Sequence, residues 1–147
     1  MATTEQPRPL DRIQSLPSWL TGRVAARGRD LVARAIAAEE LSLAHLAVLA
    51  AAAQHGPLSQ ADLVRRLEFD AKDMVLLLNH LERAGHVARD PDPRDRRKNS
   101  IRVTSQGAAA LDRCLNLAEQ ANAELLSSLS PAERRQFIDQ LTQVLGA

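Results

Sequence analysis

Four basic side chains lie within five consecutive positions in the second half of the chain: Arg94, Arg96, Arg97 and Lys98. Cations at this density can neutralise phosphates or enter a narrow minor groove of DNA. Asp95 stands inside the cluster, where a carboxylate would weaken a purely electrostatic patch. We therefore expect Asp95 to hold an arginine in place through a bidentate pair. An isolated basic run usually forms only a solvated loop, so its meaning depends on the elements around it.

The segment before the cluster predicts two helices joined by a tight turn. Ser59 can cap a short helix over residues 60–67. A second helix over residues 71–84 carries apolar side chains at the i, i+3, i+4, i+7 spacing of a buried stripe, namely Met74, Leu77, Leu78 and Leu81. This order predicts a helix-turn-helix, whose second helix can enter a major groove about 12 Å wide.

After the second helix the pattern changes to that of strands. Residues 86–89 and 100–104 predict two short strands, and the basic cluster then forms the tip of the hairpin between them. A basic hairpin directly after a helix-turn-helix favours contact with DNA over a merely solvated loop. Residues 41–104 are therefore interpreted as a winged helix-turn-helix lobe.

Long helices are predicted on both sides of this lobe, in residues 16–40 and 105–147. The apolar stripes of the two helices in residues 105–147 exceed what one small winged helix could bury, so we expect a homodimer. Residues 1–15 are polar and contain Pro7 and Pro9, which predicts a flexible arm. The predicted fold is mainly α, with about six helices and a β-hairpin wing.

The composition argues against several other classes of protein. Two Phe, one Trp and no Tyr among 147 residues disfavour binding of single strands or RNA by stacking. The single cysteine, Cys114, excludes an intrachain disulfide framework, and the four histidines lack metal-ligand spacing. Neither a phosphate-binding glycine loop nor a nucleophile motif is present, so we expect no enzyme, no cofactor and no metal.

The longest apolar run, residues 46–53, is too short to span a bilayer, and no hydrophobic secretory segment follows Met1. We expect a cytoplasmic, nucleoid-associated bacterial protein without a membrane partner.

Residues 41–107 resemble the winged helix-turn-helix of the MarR family of bacterial transcription regulators. The resemblance is carried by residues 56–63 (GPLSQADL), 81–89 (LERAGHVAR), 92–97 (DPRDRR) and 103–107 (VTSQG). The last two segments are similar to the family's wing signature, in which an acid and an arginine two apart precede a strand and a Thr-x-x-Gly helix start. The flanking helices fit the family as well.

The resemblance implies a two-fold dimer that binds a near-palindromic operator in double-stranded DNA. Recognition helices would then lie about 34–36 Å apart. It also implies a repressor that is released by a ligand. Arg97 would enter the minor groove with Asp95 orienting it, and Ser59 and Gln60 would face phosphate. Base edges would be met from six positions: Lys72, Asp73, Val75, Leu76, Asn79 and His80.

Val75 and Leu76 depart from the family, which often has Ser, Thr or Arg on this face. They can pack on thymine methyl groups, or against a neighbouring chain or the wing. Two alternatives to a DNA-binding regulator therefore stay open. One is a winged helix used for protein contact, and the other is a small-molecule-binding protein without DNA function.

The family often binds small aromatic acids or other amphipathic effectors in a crevice between the dimer helices and the DNA-binding lobe. Trp19, Arg23 and His45 are the candidates for such a crevice, as a stacking ring, a carboxylate partner and a switchable donor. Trp19 could equally pack in the dimer, and His45 could be a satisfied core group. The family's peroxide sensors use a cysteine near the first helix, so Cys114 is expected to be a small core residue.

Overall fold

The computed structural model describes residues 6–147, apart from the side chains of residues 96–98. Seven α-helices and three strands lie in this part of the chain. The helices are α1 Pro9–Gln14, α2 Pro17–Ala35, α3 Leu43–His55, α4 Gln60–Leu67, α5 Ala71–Arg83, α6 Ser105–Leu125 and α7 Pro131–Val144. The strands are β1 Leu58–Ser59, β2 Val87–Asp92 and β3 Asp95–Val103. The mainly α winged-helix fold predicted from the sequence is thus confirmed.

Hydroxyl side chains set the start of several helices. Ser42, Ser59 and Ser130 each accept a hydrogen bond from the backbone N–H three residues later, and the side chain at that later position accepts one in return. Such capping boxes satisfy two N–H groups that the helix itself leaves unpaired. The helix starts that the sequence predicts at residues 43, 60 and 131 follow directly from them.

The wing is part of a three-stranded antiparallel sheet in the order β1-β3-β2. Leu58 of β1 pairs with Ile101 of β3, and Val87 of β2 pairs with Val103. Leu58, Val87 and Ile101 are buried. The base of the wing is therefore anchored in the core, and the outer part of the hairpin projects from it.

The core lies between α3, α4, α5 and the base of the sheet, and α6 closes one side of it. Its largest fully buried side chains include Leu46, Leu49, Leu63, Met74, Leu78 and Leu81. The predicted stripe of α5 is confirmed at Met74, Leu78 and Leu81, while Leu77 is half-buried. Cys114 is buried in this core from α6, and burial raises the pKa of its thiol.

Three regions differ from the sequence prediction. Residues 9–14, expected to belong to a flexible arm, form α1, because Pro9 fits the first turn of a helix and Arg8 pairs with Asp11 at 3.2 Å. The strands extend to Asp92 and from Asp95, so Pro93 and Arg94 alone make the turn and the rest of the basic cluster has strand backbone. The short strand β1 was not predicted, since two residues carry no periodicity.

The predicted first long helix also ends earlier than expected. α2 stops at Ala35, a 3-10 turn covers Ala37–Glu39, and Glu40 has a left-handed backbone with φ of 54°. These residues form the connector, residues 36–42, between α2 and the winged-helix lobe. Among the described residues, no helix combines the length and apolar character needed to cross a bilayer.

Candidate nucleic-acid interface

The helix α5 exposes one side of its surface while its buried stripe holds it to the core. Asp70 caps the helix by accepting a hydrogen bond from the backbone N–H of Lys72 at 2.7 Å. Leu76 is 66% exposed and Val75 is 41% exposed. Lys72 and Asn79 are exposed as well. Within one chain, therefore, neither apolar side chain is covered by the wing, and the outer ridge of α5 is open to a partner.

One flank of α5 is tied to the wing by Arg89 of β2. Its Nη2 donates a hydrogen bond to Asn79 Oδ1 at 2.9 Å, and its Nε lies 2.7 Å from Glu82 Oε2. Asn79 and Glu82 are three residues apart, so they share one side of the helix. We call this side, with Asn79 and Glu82, the wing flank.

Arg89 was not among the site residues predicted from the sequence. It is a cation that follows the strand residues Val87 and Ala88, directly after the helix that the wing must meet. The position of Arg89 after Val87 and Ala88 indicates that it lies in a strand beside the helix. A strand pattern alone does not indicate which helix residue its side chain contacts.

The opposite flank of α5 is tied to the connector by His80. Its Nε2 lies 2.7 Å from the carbonyl oxygen of Glu40, and its ring packs on that of His45 with centroids 4.5 Å apart. We call this side, with Asp73 and His80, the connector flank. His80 was predicted to meet base edges, but here it lies beside α3 and the connector rather than on the outer ridge. The periodicity of the apolar residues in α5 predicts that His80 lies outside the core. It does not predict on which flank of the helix His80 lies.

His45 has a structural role at the start of α3. Its Nδ1 accepts a hydrogen bond from the backbone N–H of Ser42 at 2.9 Å, so this nitrogen is unprotonated. Burial, together with the electrostatic influence of the nearby His80 and His86 imidazoles, lowers the pKa of His45 to about 4. His45 is therefore neutral at physiological pH.

A cavity of about 740 Å³ opens between α3 and α5 on the connector flank. His45, Asp73, Leu76 and His80 line it, together with Phe69, Leu77, Arg83 and the acids Glu68 and Asp70. Trp19 and Arg23 lie on α2 and do not line this cavity. Within one chain, the three predicted effector residues are thus not brought together, and His45 alone reaches the cavity.

Ser59 and Gln60 lie at the start of α4, where backbone N–H groups can face a phosphate. Ser59 Oγ accepts from the N–H of Asp62 at 3.1 Å, and Ser59 N–H donates to Asp62 Oδ2 at 3.2 Å. Hydrogen bonds from the Ser59 hydroxyl and the Ser59 backbone N–H lower the pKa of the Asp62 carboxyl, and Arg65 contacts the same carboxylate. A negative charge therefore lies beside the Ser59 hydroxyl.

In the wing, the Arg94 backbone N–H donates to Asp92 Oδ1 at 2.8 Å and its side chain is exposed. Arg102 pairs with Asp90 across the two strands at 2.9 Å. Asp95 is half-buried at the start of β3. The side chains of Arg96, Arg97 and Lys98 lie outside the described residues, so their roles remain predictions.

The connector is also fixed to the long helix α6. Arg113 donates two hydrogen bonds to the Glu39 carboxylate, at 2.8 and 3.1 Å. This pair lowers the pKa of Glu39 and raises that of Arg113. In the described part of the chain, no three His, Cys, Asp or Glu side chains come together as a metal site.

Comparison with known proteins identifies this arrangement. A family model described as MarR family matches residues 40–98. The HTH-type transcriptional repressor Rv2887 of Mycobacterium tuberculosis is 30% identical over 119 residues, which cover 81% of this chain and 86% of that protein. The chain belongs to the MarR family. This confirms the family predicted from the sequence, and the matched relative is named as a transcriptional repressor.

Two further proteins are also similar to this chain. The HTH-type transcriptional repressor NicR of Pseudomonas putida is 34% identical over 95 residues, 65% of this chain and 60% of its own length. The chain thus matches less than two thirds of NicR. The structure of BpsR from Bordetella bronchiseptica, whose DNA binding is regulated by 6-hydroxynicotinic acid, superposes with a TM-score of 0.82 at 26% identity, over 91% of this chain and 96% of BpsR.

Proposed function

We propose that the protein is a transcriptional repressor that binds a near-palindromic operator in double-stranded DNA as a homodimer. The outer ridge of α5 would enter the major groove, and the basic wing would reach the adjacent minor groove. The observation that carries this proposal is the open ridge of α5 beside a basic hairpin. The repressor names of NicR and Rv2887 support it.

The terminal helices support the homodimer. No residue of α1 or α7 is buried, although both carry large apolar side chains. Leu10, Ile13, Leu16 and Leu20 are exposed at one end of the chain, and Ile138, Leu141, Val144 and Leu145 at the other. Exposed apolar surface of this extent marks an interface. A second copy of the chain would cover these faces.

We propose a small aromatic acid as the effector that releases the DNA. The cavity on the connector flank offers apolar walls from Phe69, Leu76 and Leu77. The guanidinium of Arg83 can pair with a carboxylate there, in competition with the acids that also line the cavity, Glu68, Asp70 and Asp73. The occupant of the cavity would contact α5 directly. The regulation of BpsR by 6-hydroxynicotinic acid supports an effector of this class. A ligand weakens DNA binding if it binds the DNA-free arrangement of α5 more tightly than the DNA-bound arrangement. The size of the effect is set by the difference between these two ligand affinities.

A salt titration tests the DNA-binding part of the proposal. The full-length protein is titrated against a palindromic fragment from upstream of its own gene, and against random duplex DNA, at several salt concentrations. We expect tighter binding to the palindrome and a log–log slope that reflects several released counterions. Arg97→Ala should weaken binding and lower the slope by about one for each phosphate contact that is lost.

Arg135→Ala is the matched control, because it removes the same charge from α7 and should leave affinity and slope unchanged. If the palindrome never binds more tightly than random DNA at any salt concentration, the proposal is wrong. A protein-contact role for the exposed ridge of α5 would then be favoured.

A further inference from the structure

The orientation of the Asn79 side-chain amide is fixed by chemistry. The guanidinium of Arg89 carries donors only, so the amide atom that faces its Nη2 at 2.9 Å must be the carbonyl oxygen Oδ1. The amino group Nδ2 therefore lies on the other side of the amide. Among the described residues, none accepts a hydrogen bond from Nδ2. Asn79 is exposed, so this donor is available to a partner of α5.

Arg89 is itself held in place on both sides. Its backbone lies in β2 opposite Ile101 of β3, which is buried in the core. Its guanidinium spans one turn of α5, from Asn79 to Glu82, and its side chain is only 26% exposed. The sheet therefore fixes the position of the Arg89 guanidinium. The hydrogen bond from that guanidinium fixes the orientation of the Asn79 side-chain amide.

A free asparagine on a recognition helix typically reads adenine, because its amide oxygen accepts from N6 while its amide nitrogen donates to N7. That pairing needs both amide atoms to face the base. In this protein Oδ1 is turned toward Arg89, so the amide presents a donor. The major-groove edge of guanine offers two adjacent acceptors, O6 and N7, to such a donor.

We propose that Arg89 is a specificity-determining residue, which orients Asn79 as a hydrogen-bond donor and thereby selects guanine over adenine at one position of each half-site. Arg89 acts through Asn79 and is a positioning residue rather than a base contact. The inference rests on the proposed function, since it requires α5 to lie in the major groove.

The test is a selection of bound duplexes from a random-sequence pool, with sequencing of the enriched pool for each full-length variant. The wild-type protein should enrich a two-fold motif with guanine at one position of each half-site. Asn79→Ala should remove the preference at that position. Arg89→Gln frees the amide, so we expect the same position to shift toward adenine by about 10-fold, while the other positions keep their preference.

Asn79→Asp keeps the pairing with Arg89, and therefore the fold of the wing flank, but removes the outward donor. We expect the preference for guanine at the same position to fall by about 10-fold. Arg102→Gln is the matched control, because it breaks an arginine–carboxylate pair within the wing that does not touch α5. It should leave the base preference unchanged.

Two outcomes would overturn the proposal while leaving the proposed function intact. In the first, Arg89→Gln weakens binding to all sequences equally and keeps the wild-type motif, which is the behaviour of a purely structural residue. In the second, neither Asn79 variant changes the preference at any position. If the wild-type protein enriches no motif, the proposed function itself fails and this inference fails with it.

Discussion

The winged-helix lobe and the terminal helices of this chain bury their apolar side chains to very different extents. In the lobe, Leu46, Leu63 and Leu78 are fully buried by α3, α4, α5 and the sheet of the same chain. In α7, by contrast, Ile138 is exposed and Val144 is 85% exposed. One chain therefore completes the core of the lobe, with α2 and α6 packed against it, whereas α7 presents an apolar face that one chain does not cover.

In the proposed dimer, this difference separates two functions along the chain: the lobe binds DNA, and the terminal helices form the interface between the two copies. The core side chains of the lobe are buried by contacts within one chain. In the proposed dimer, the terminal helices would set the position of the two lobes relative to each other. The connector joins the two regions, and it is fixed both to α6 through Glu39 and to α5 through His80.

The largest effect is expected from charges placed on the apolar face of α7. The double substitution Ile138→Asp with Leu141→Asp should convert the dimer into a monomer, because a buried unpaired carboxylate is costly. Affinity for a two-half-site operator should fall by about 10²–10⁴, since the second half-site contact is lost with the partner. Sedimentation gives the mass, and a DNA titration gives the affinity.

The control adds the same two carboxylates to the polar side of α7, as Gln136→Asp with Gln140→Asp. This variant should keep the mass and the affinity of the wild-type protein. If the Ile138 and Leu141 variant keeps a dimeric mass, α7 does not form the interface, and the contrast between lobe and terminal helices loses its explanation.

Two neighbouring leucines of α5 sharpen the same contrast within the lobe. Leu78→Ala should lower the free energy of unfolding by about 2–5 kcal/mol, because it leaves a cavity in a core that one chain completes. Leu76→Ala should change it by less than about 0.5 kcal/mol, because Leu76 is mostly exposed. Urea denaturation at two protein concentrations measures both. If the loss of unfolding free energy caused by Leu78→Ala changes with protein concentration, the partner chain contributes to this core.

The sequence was sufficient for features that depend on local chemistry. Ser59 with Asp62, and Ser130 with Pro131 and Glu133, predict helix starts because capping requires those residue types at that spacing. The stripe from Met74 to Leu81 predicts the buried side of α5 because its period is that of a helix. The resemblance to the MarR family then linked the order of these elements to a DNA-binding function.

Features that depend on contacts between distant segments were not predictable in this way. His80 lies outside the buried stripe, and the stripe does not reveal that Glu40, forty residues earlier in the chain, would bind its imidazole. Arg89 reaches Asn79 because β2 runs back along α5, and a strand pattern does not give that approach. Both residues follow from how the wing and the connector pack, which a helical period does not encode.

An effect smaller than that of Leu78→Ala concerns the pH dependence of the connector flank. His45 is neutral in the folded protein with a pKa of about 4, against about 6.5 in the unfolded chain. Between these values the unfolded chain binds the extra proton, so stability is fully present above about pH 6.5 and is lost as the pH falls toward 4. His45 is partly exposed to solvent, so we expect the loss to be about 1 kcal/mol.

His45→Gln isolates this contribution, because glutamine can still accept from the Ser42 N–H in the capping box but does not titrate. The free energy of unfolding of the wild-type protein should fall more steeply than that of the variant between pH 6.5 and 5. This window lies above the range in which Glu39, Asp62 and Glu133 titrate, since their pKa values are lowered in the folded protein. Equal slopes for the two proteins would show that the imidazole of His45 is as well solvated in the folded chain as in the unfolded one. The connector flank would then be open to water, unlike the lobe core beside it.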